Sequence, residues 1–228
     1  MGTFILTSLF FLLVTTNVNA NPSSNEQISD AEKWFYADDE FTTEDINEGD
    51  LNFLLKPPDK PVLHSRNTLH ISQLSIDKGW VALEQCYKNL DPVPVAEIVY
   101  QYKAIRKFSI LSKKNIDIAY IKGQSVQLRN VSRNAELCIS AEVNIFRKDK
   151  DNTYKLVNGP FHRKFFDGYY PYHISLNITY PSSGLQLIKS TPQAQQGFNI
   201  NTSENNIQIE TYFEGILTTE LLFKRRDK

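Results

Sequence analysis

Between residues 170 and 180 apolar and polar side chains take turns without a break. Tyr170, Tyr172, Ile174, Leu176, Ile178 and Tyr180 share one parity, while Tyr169, Pro171, His173, Ser175, Asn177 and Thr179 share the other. A strand points successive side chains to opposite faces, so this spacing predicts a half-buried strand with most of its tyrosines in the core. His173, Ser175, Asn177 and Thr179 are then left facing water.

Short runs rich in Val, Ile, Tyr, Phe and Thr, broken by Gly, Asn, Asp, Pro and Lys, continue from Leu63 to the end of the chain. They predict further strands over 69–76, 80–90, 98–111 and 137–146. Three hairpins are expected. Asn158-Gly159 offers two residues that tolerate positive φ, as a type I′ turn pairing 153–157 with 161–166 requires. Lys122-Gly123 lies between the alternating Ile116, Ile118 and Tyr120 and the pair Val126 and Leu128. Glu214-Gly215 lies between Ile207, Ile209, Thr211 and Phe213 on one side and Leu217, Thr219, Leu221 and Phe223 on the other. No long run has helical periodicity. About ten strands with short connections define an all-β class, a β-sandwich built as one large unit or as two small ones in tandem, divided near 181.

One short motif narrows the architecture. Asp167-Gly168-Tyr169-Tyr170 resembles the D-G-x-Y corner of immunoglobulin-like sandwiches, which implies that sandwich type and a tyrosine hydroxyl bonded back to the backbone. The antibody pattern places a cysteine two residues after that tyrosine, and here the position is Tyr172. The chain also resembles, in general texture, uncharacterised exported β-rich proteins of Gram-negative bacteria. That resemblance implies a secreted, periplasmic rather than extracellular, setting and carries no activity with it.

Composition places the strands in a compartment. Residues 1–20 contain no charge, run apolar from Phe4 to Val14 and end in Val18, Asn19 and Ala20, the pattern of a cleaved secretory signal. The apolar block is too short to cross a bilayer as a helix, and no membrane-spanning segment is expected after Ala20. Cys86 and Cys138 are the chain's 2 cysteines, and in an exported protein they are expected to pair. Cys138 shares its parity with Glu136, Ser140 and Glu142, and Cys86 with Glu84 and Lys88. The bridge should therefore join the outer faces of two neighbouring strands, leaving the core to apolar side chains.

The net charge of −1 conceals an asymmetry. Residues 21–50 hold ten acids against Lys33, which leaves 24 bases and 16 acids for residues 51–228 of the chain's 25 and 26. Residues 21–61 read as an acidic, largely disordered arm ending in a linker at Pro57, Pro58 and Pro61, with 62–228 as the sandwich. Trp34, Phe35, Tyr36 and Phe41 could dock a short helix opened by Ser29 or Asp30. A basic body opposite an acidic arm also suggests an anionic surface as partner, through Arg106-Lys107, Lys113-Lys114, Arg163-Lys164 and Lys224-Arg225-Arg226. These groups are dispersed between strands, so nucleic acid is not expected.

Candidate chemistry is sparse. There is no G-x-S-x-G elbow, S-x-x-K, phosphate loop or H-E-x-x-H, and no metal or cofactor is expected from spacing. His64, His70, His162 and His173 are scattered; His162, Asp167 and His173 could converge at a hairpin end. Asp117, Glu142, Asp167 and Glu210 could pair as glycosidase carboxylates. The candidate ligand face is His173, Ser175 and Asn177, with Trp80 and Tyr169 available to stack a sugar ring. Asn130, Asn177 and Asn201 open N-x-S/T triplets, which act as glycosylation sites only in a eukaryotic secretory pathway. The expected function is a non-catalytic exported module binding another protein or an envelope component. The alternative is a carbohydrate-binding module or a hydrolase acting on envelope polysaccharide.

Overall fold

The computed structural model describes residues 47–150, 152–180 and 184–225. The expected signal and most of the acidic arm, including the helix after Ser29 or Asp30, lie outside them. The described residues form β1 (Asn52–Phe53), β2 (His64–His70), α1 (Gln73–Lys78), β3 (Trp80–Leu90), β4 (Val95–Val99), β5 (Ile105–Lys122), β6 (Ser125–Asn144) and β7 (Phe146–Lys148). They continue as β8 (Thr153–Phe161), β9 (Lys164–Phe165), β10 (Gly168–Tyr169), β11 (Tyr172–Thr179), β12 (Leu185–Thr191), β13 (Phe198–Thr202), β14 (Asn206–Glu214) and β15 (Leu217–Arg225). The fold is all-β, as the alternation predicts.

Nine strands make one sheet in the order β1-β14-β11-β2-β3-β6-β4, with β13 also on β14 and β5 also on β6. Four more make a second sheet, β12-β15-β8-β7, and β9 pairs with β10. β11 lies parallel to β2 and antiparallel to β14. Its burial alternates throughout: Tyr172, Ile174, Leu176 and Ile178 are buried, while His173, Ser175, Asn177 and Thr179 stay partly open. Leu69, Leu83, Ile139 and Ile174 from the large sheet share one core with Phe146, Leu156, Leu221 and Phe223 from the small one. Each such side chain contributes about 1.5–3 kcal/mol by leaving water. Tyr180 meets Phe223 edge-on at 5.5 Å, which ties β11's end to the small sheet.

The 80–90 strand and the Lys122-Gly123 hairpin form as expected. The bridge Cys86–Cys138 forms too, between residues directly opposite in β3 and β6, with Cα atoms 4.1 Å apart. Gln85, Tyr87, Leu137 and Ile139, their chain neighbours, point inward. The disulfide therefore lies on the outer face.

Other expectations are corrected. The 69–76 strand ends at His70 and is followed by α1, because Ser72 opens a helical turn and Gly79 closes it in the left-handed region at φ 80. The backbone N–H of Ser72 donates to Ser75 Oγ at 3.0 Å, and that of Gly79 to Ser75 O at 2.8 Å. The 98–111 strand is divided between β4 and β5. In β5 the expected alternation breaks after Ile116: Ile116 is buried, but Ile118 and Tyr120 face solvent and Ala119 and Ile121 pack on the core.

Asn158-Gly159 is not a turn. β8 runs straight through it and pairs with β15, where Thr219 opposes Asn158 and Leu217 opposes Phe161. Gly159, at φ 114, provides the positive φ of a bulge, and a Cβ there would stand 2.7 Å from Leu217 O. Nor is Glu214-Gly215 a hairpin. β14 belongs to the large sheet and β15 to the small one, so this tight corner carries the chain from one layer to the other.

Candidate ligand site on the outer sheet face

Register decides which outward residues meet. His173 on β11 lies opposite His64 on β2 and Tyr212 on β14, and Ser175 lies opposite Arg66 and Glu210. The His173 ring stacks on Tyr212 at a centroid distance of 4.0 Å and on His64 at 3.9 Å, the planes inclined by 10° and 15°. His64 Nε2 and Ser175 Oγ are hydrogen-bonded at 2.7 Å, and His173 Nε2 is bonded to Glu210 Oε1. Three strands distant in sequence thus place two imidazoles, a hydroxyl and a carboxylate around one point.

Their surroundings set their charge. Burial, aided by the charge of His173, drives His64 down from 6.5 to about 4; Glu210 opposes this weakly, and Arg66 and Lys88 reinforce it. His64 is consequently neutral at pH 7. Burial would raise the Glu210 carboxyl, but hydrogen bonds to His173 and Ser175 and the nearby imidazoles outweigh it and hold the carboxyl below its ordinary range. Burial, together with Glu210, raises the Tyr212 hydroxyl.

Beside this cluster is a groove of about 500 Å³. Glu210, Thr211 and Tyr212 floor it, Leu54 to Pro57 form one wall, and Gln196, Gly197 and Asn199 the other. The groove forms where β1 leaves the edge of β14 and β13 takes over: Leu54 N–H still donates to Tyr212 O at 2.9 Å, and Phe198 already pairs with Thr211. Leu55 on its wall is 70% exposed.

The expected ligand face is only partly assembled. His173, Ser175 and Asn177 share it, with the Asn177 side-chain oxygen accepting from Asn206 Nδ2 at 2.6 Å. Trp80 lies eight residues from Lys88, the β3 partner of His64, which is about 27 Å along an extended strand. Its ring is already covered by the Arg106 guanidinium at 4.1 Å. Tyr169 pairs through its backbone with Asn47 and has the Lys164 ammonium 5.1 Å from its ring. Neither joins His173. The grouping of His162, Asp167 and His173 does not form either, since sheet register gives His173 the neighbours His64 and Glu210. His162 instead meets Tyr169 edge-on at 6.0 Å, and Asp167 accepts from Tyr170 Oη at 2.5 Å.

In the sequence His64 stands out only as one of the scattered histidines and Glu210 only as one of several strand acids. No spacing signals a contact made through a parallel pairing to β2 and an antiparallel one to β14. As chemistry, a serine bonded to a neutral histidine suggests a nucleophile, yet β11 is paired on both sides from His173 to Thr179. Its amides serve the ladders and cannot line an oxyanion hole there. Several expected cationic groups are engaged with partners of their own: Arg106 and Lys107 with Glu142 at 2.7 and 2.6 Å, Lys114 with Glu136 at 3.3 Å, and Arg163 with Asp91 at 2.6 Å. No helix among the described residues is long and apolar enough to cross a membrane. The chain matches no protein-family description, and no curated protein is similar to it.

Proposed function

We propose that this protein is an exported, non-catalytic interaction module that holds a segment of another protein, or of an envelope component, in the groove beside Tyr212. The observation that carries the reading is the groove itself, whose lining combines the solvent-exposed Leu55 with Leu54, Pro57 and the polar Lys56, Gln196, Asn199 and Glu210. The opposite border supports it by contrast. β5 carries Lys107, Lys113, Lys114 and Lys122 and three register shifts, devices that discourage strand addition. The disulfide supports an oxidising compartment, the periplasm in this reading, and the two sheets around one core support an immunoglobulin-like sandwich.

One observation favours carbohydrate as a second reading: Tyr212 on the groove floor stands with Glu210, Gln196 and Asn199, an aromatic ring among hydrogen-bonding groups. Selection of displayed peptides and of immobilised oligosaccharides on the full chain, repeated with Leu55→Asp and Tyr212→Ala, separates the two. Peptides retained by the wild type and released by both variants support the interaction module. Oligosaccharides lost with Tyr212→Ala support the second reading. Retention of neither class, or retention unaffected by both changes, refutes the groove as a binding site.

A further inference from the structure

The clustering of His64, His173 and Glu210 has a chemical meaning independent of what fills the groove. One ligand atom from each lies within 4.8 Å of the other two. Donors sharing a tetrahedral ion at about 2.1 Å stand about 3.4 Å apart, so closing the set takes movements of about 1.4 Å or less. Side-chain rotation supplies that. His173 is held between Tyr212 and His64 by stacking on both faces, and Glu210 already meets its Nε2. The lone pairs of nearly parallel rings run side by side, so one ring must turn for both to reach one ion. His64 is free to do this by exchanging its bond to Ser175 Oγ for the ion.

The donor set selects the ion. Two imidazole nitrogens and one carboxylate oxygen suit zinc and copper, whereas calcium and magnesium require oxygen-rich shells. Both cysteines are committed to the disulfide, so no thiolate competes. The Glu210 side chain, 51% exposed beside a His173 that is 14% exposed, gives an ion access from solvent and leaves coordination positions for water or a ligand donor. Arg66 and Lys88 are close enough to act on His64 and oppose a cation, which weakens binding relative to a site without neighbouring cations.

We propose that His64, His173 and Glu210, gathered by the β2–β11–β14 register, form a binding site for one zinc or copper(II) ion per chain. The inference goes beyond the interaction-module reading and does not depend on it, since the ion alone is the ligand.

The test is calorimetric titration of zinc chloride into chelator-stripped full chain, together with copper(II) electron paramagnetic resonance. One ion per chain should bind with Kd below about 10 μM, and copper should show hyperfine coupling from two imidazole nitrogens. His64→Asn, His173→Asn and Glu210→Gln should each weaken zinc by at least about tenfold, with His70→Asn and His162→Asn within about twofold. Because substitutions on a central strand can impair folding, long-range proton–nitrogen spectra of the wild type provide a second measurement, in which zinc must shift the Nε2 signals of His64 and His173. Substoichiometric binding, loss caused by His70→Asn or His162→Asn instead, or Nε2 signals that do not respond to zinc would each overturn the site.

Discussion

Replacing both Cys86 and Cys138 by alanine isolates what an outward-facing disulfide contributes. The bridge spans a sequence separation of 52, and loop-closure entropy over that length gives about 4 kcal/mol at 25 °C. Cys86 is 6% exposed, so losing its sulfur adds a burial contribution of about 1 kcal/mol at most. Inner neighbours such as Leu137, Ile139 and Tyr87 keep their places, and no cavity opens between the sheets. The expected loss is therefore about 3–5 kcal/mol, a fall in Tm of about 8–16 °C for about 4 kcal/mol in a domain of this size. Urea unfolding followed by far-ultraviolet circular dichroism measures it. The m-value should rise, since the unfolded chain is no longer cross-linked. Wild type unfolded in reductant keeps its sulfurs and should agree with the double variant within about 1 kcal/mol. A loss above about 6 kcal/mol, or loss of cooperative unfolding, would mean that the bridge organises core packing, and the outer-face argument would fail.

Three further outcomes follow from the same geometry. On β14, Ile209→Ala should cost about 2–5 kcal/mol and the adjacent Gln208→Ala less than about 0.5 kcal/mol, since Ile209 is buried and Gln208 faces solvent; equal losses in chemical denaturation would contradict the alternation. Gly215→Ala should destabilise by about 2–4 kcal/mol in the same assay, because φ is 85 and a Cβ would overlap the carbonyl of Asp50; a neutral result would mean the inter-sheet corner is wrongly placed. His64, lowered from 6.5 to about 4, takes up its proton later when folded than when unfolded, so its contribution is complete above 6.5, declines as pH falls towards 4 and is constant below. At this half-buried site the decline is about 1–2 kcal/mol after solvent screening. Glu210, held low, loses its own contribution further into acid, in the same direction. Measured with chelator present, His64→Asn should flatten the decline between 6.5 and 4, and an unchanged profile would refute the assignment.

Much of this protein was legible before any coordinates, and the legible part has a common cause. Side-chain direction in a strand follows from covalent geometry over two residues, so Tyr172, Ile174, Leu176 and Ile178 could be assigned to the core, and Cys86 and Cys138 to the outer face, from parity alone. Partnership between strands is not local. The alternations before and after Glu214-Gly215 would look the same in a hairpin as in a crossing between sheets, and only the fit of the corner against Asp50 and the pairing of β15 with β8 decide between them. The Asn158-Gly159 pair shows the same limit, since a positive φ serves a turn or a bulge equally well and the strand opposite determines which. His64, His173 and Glu210 follow this rule as well: the sequence by itself supplied three donors on strand surfaces, but their meeting is a property of register, which exists only once β2, β11 and β14 lie side by side.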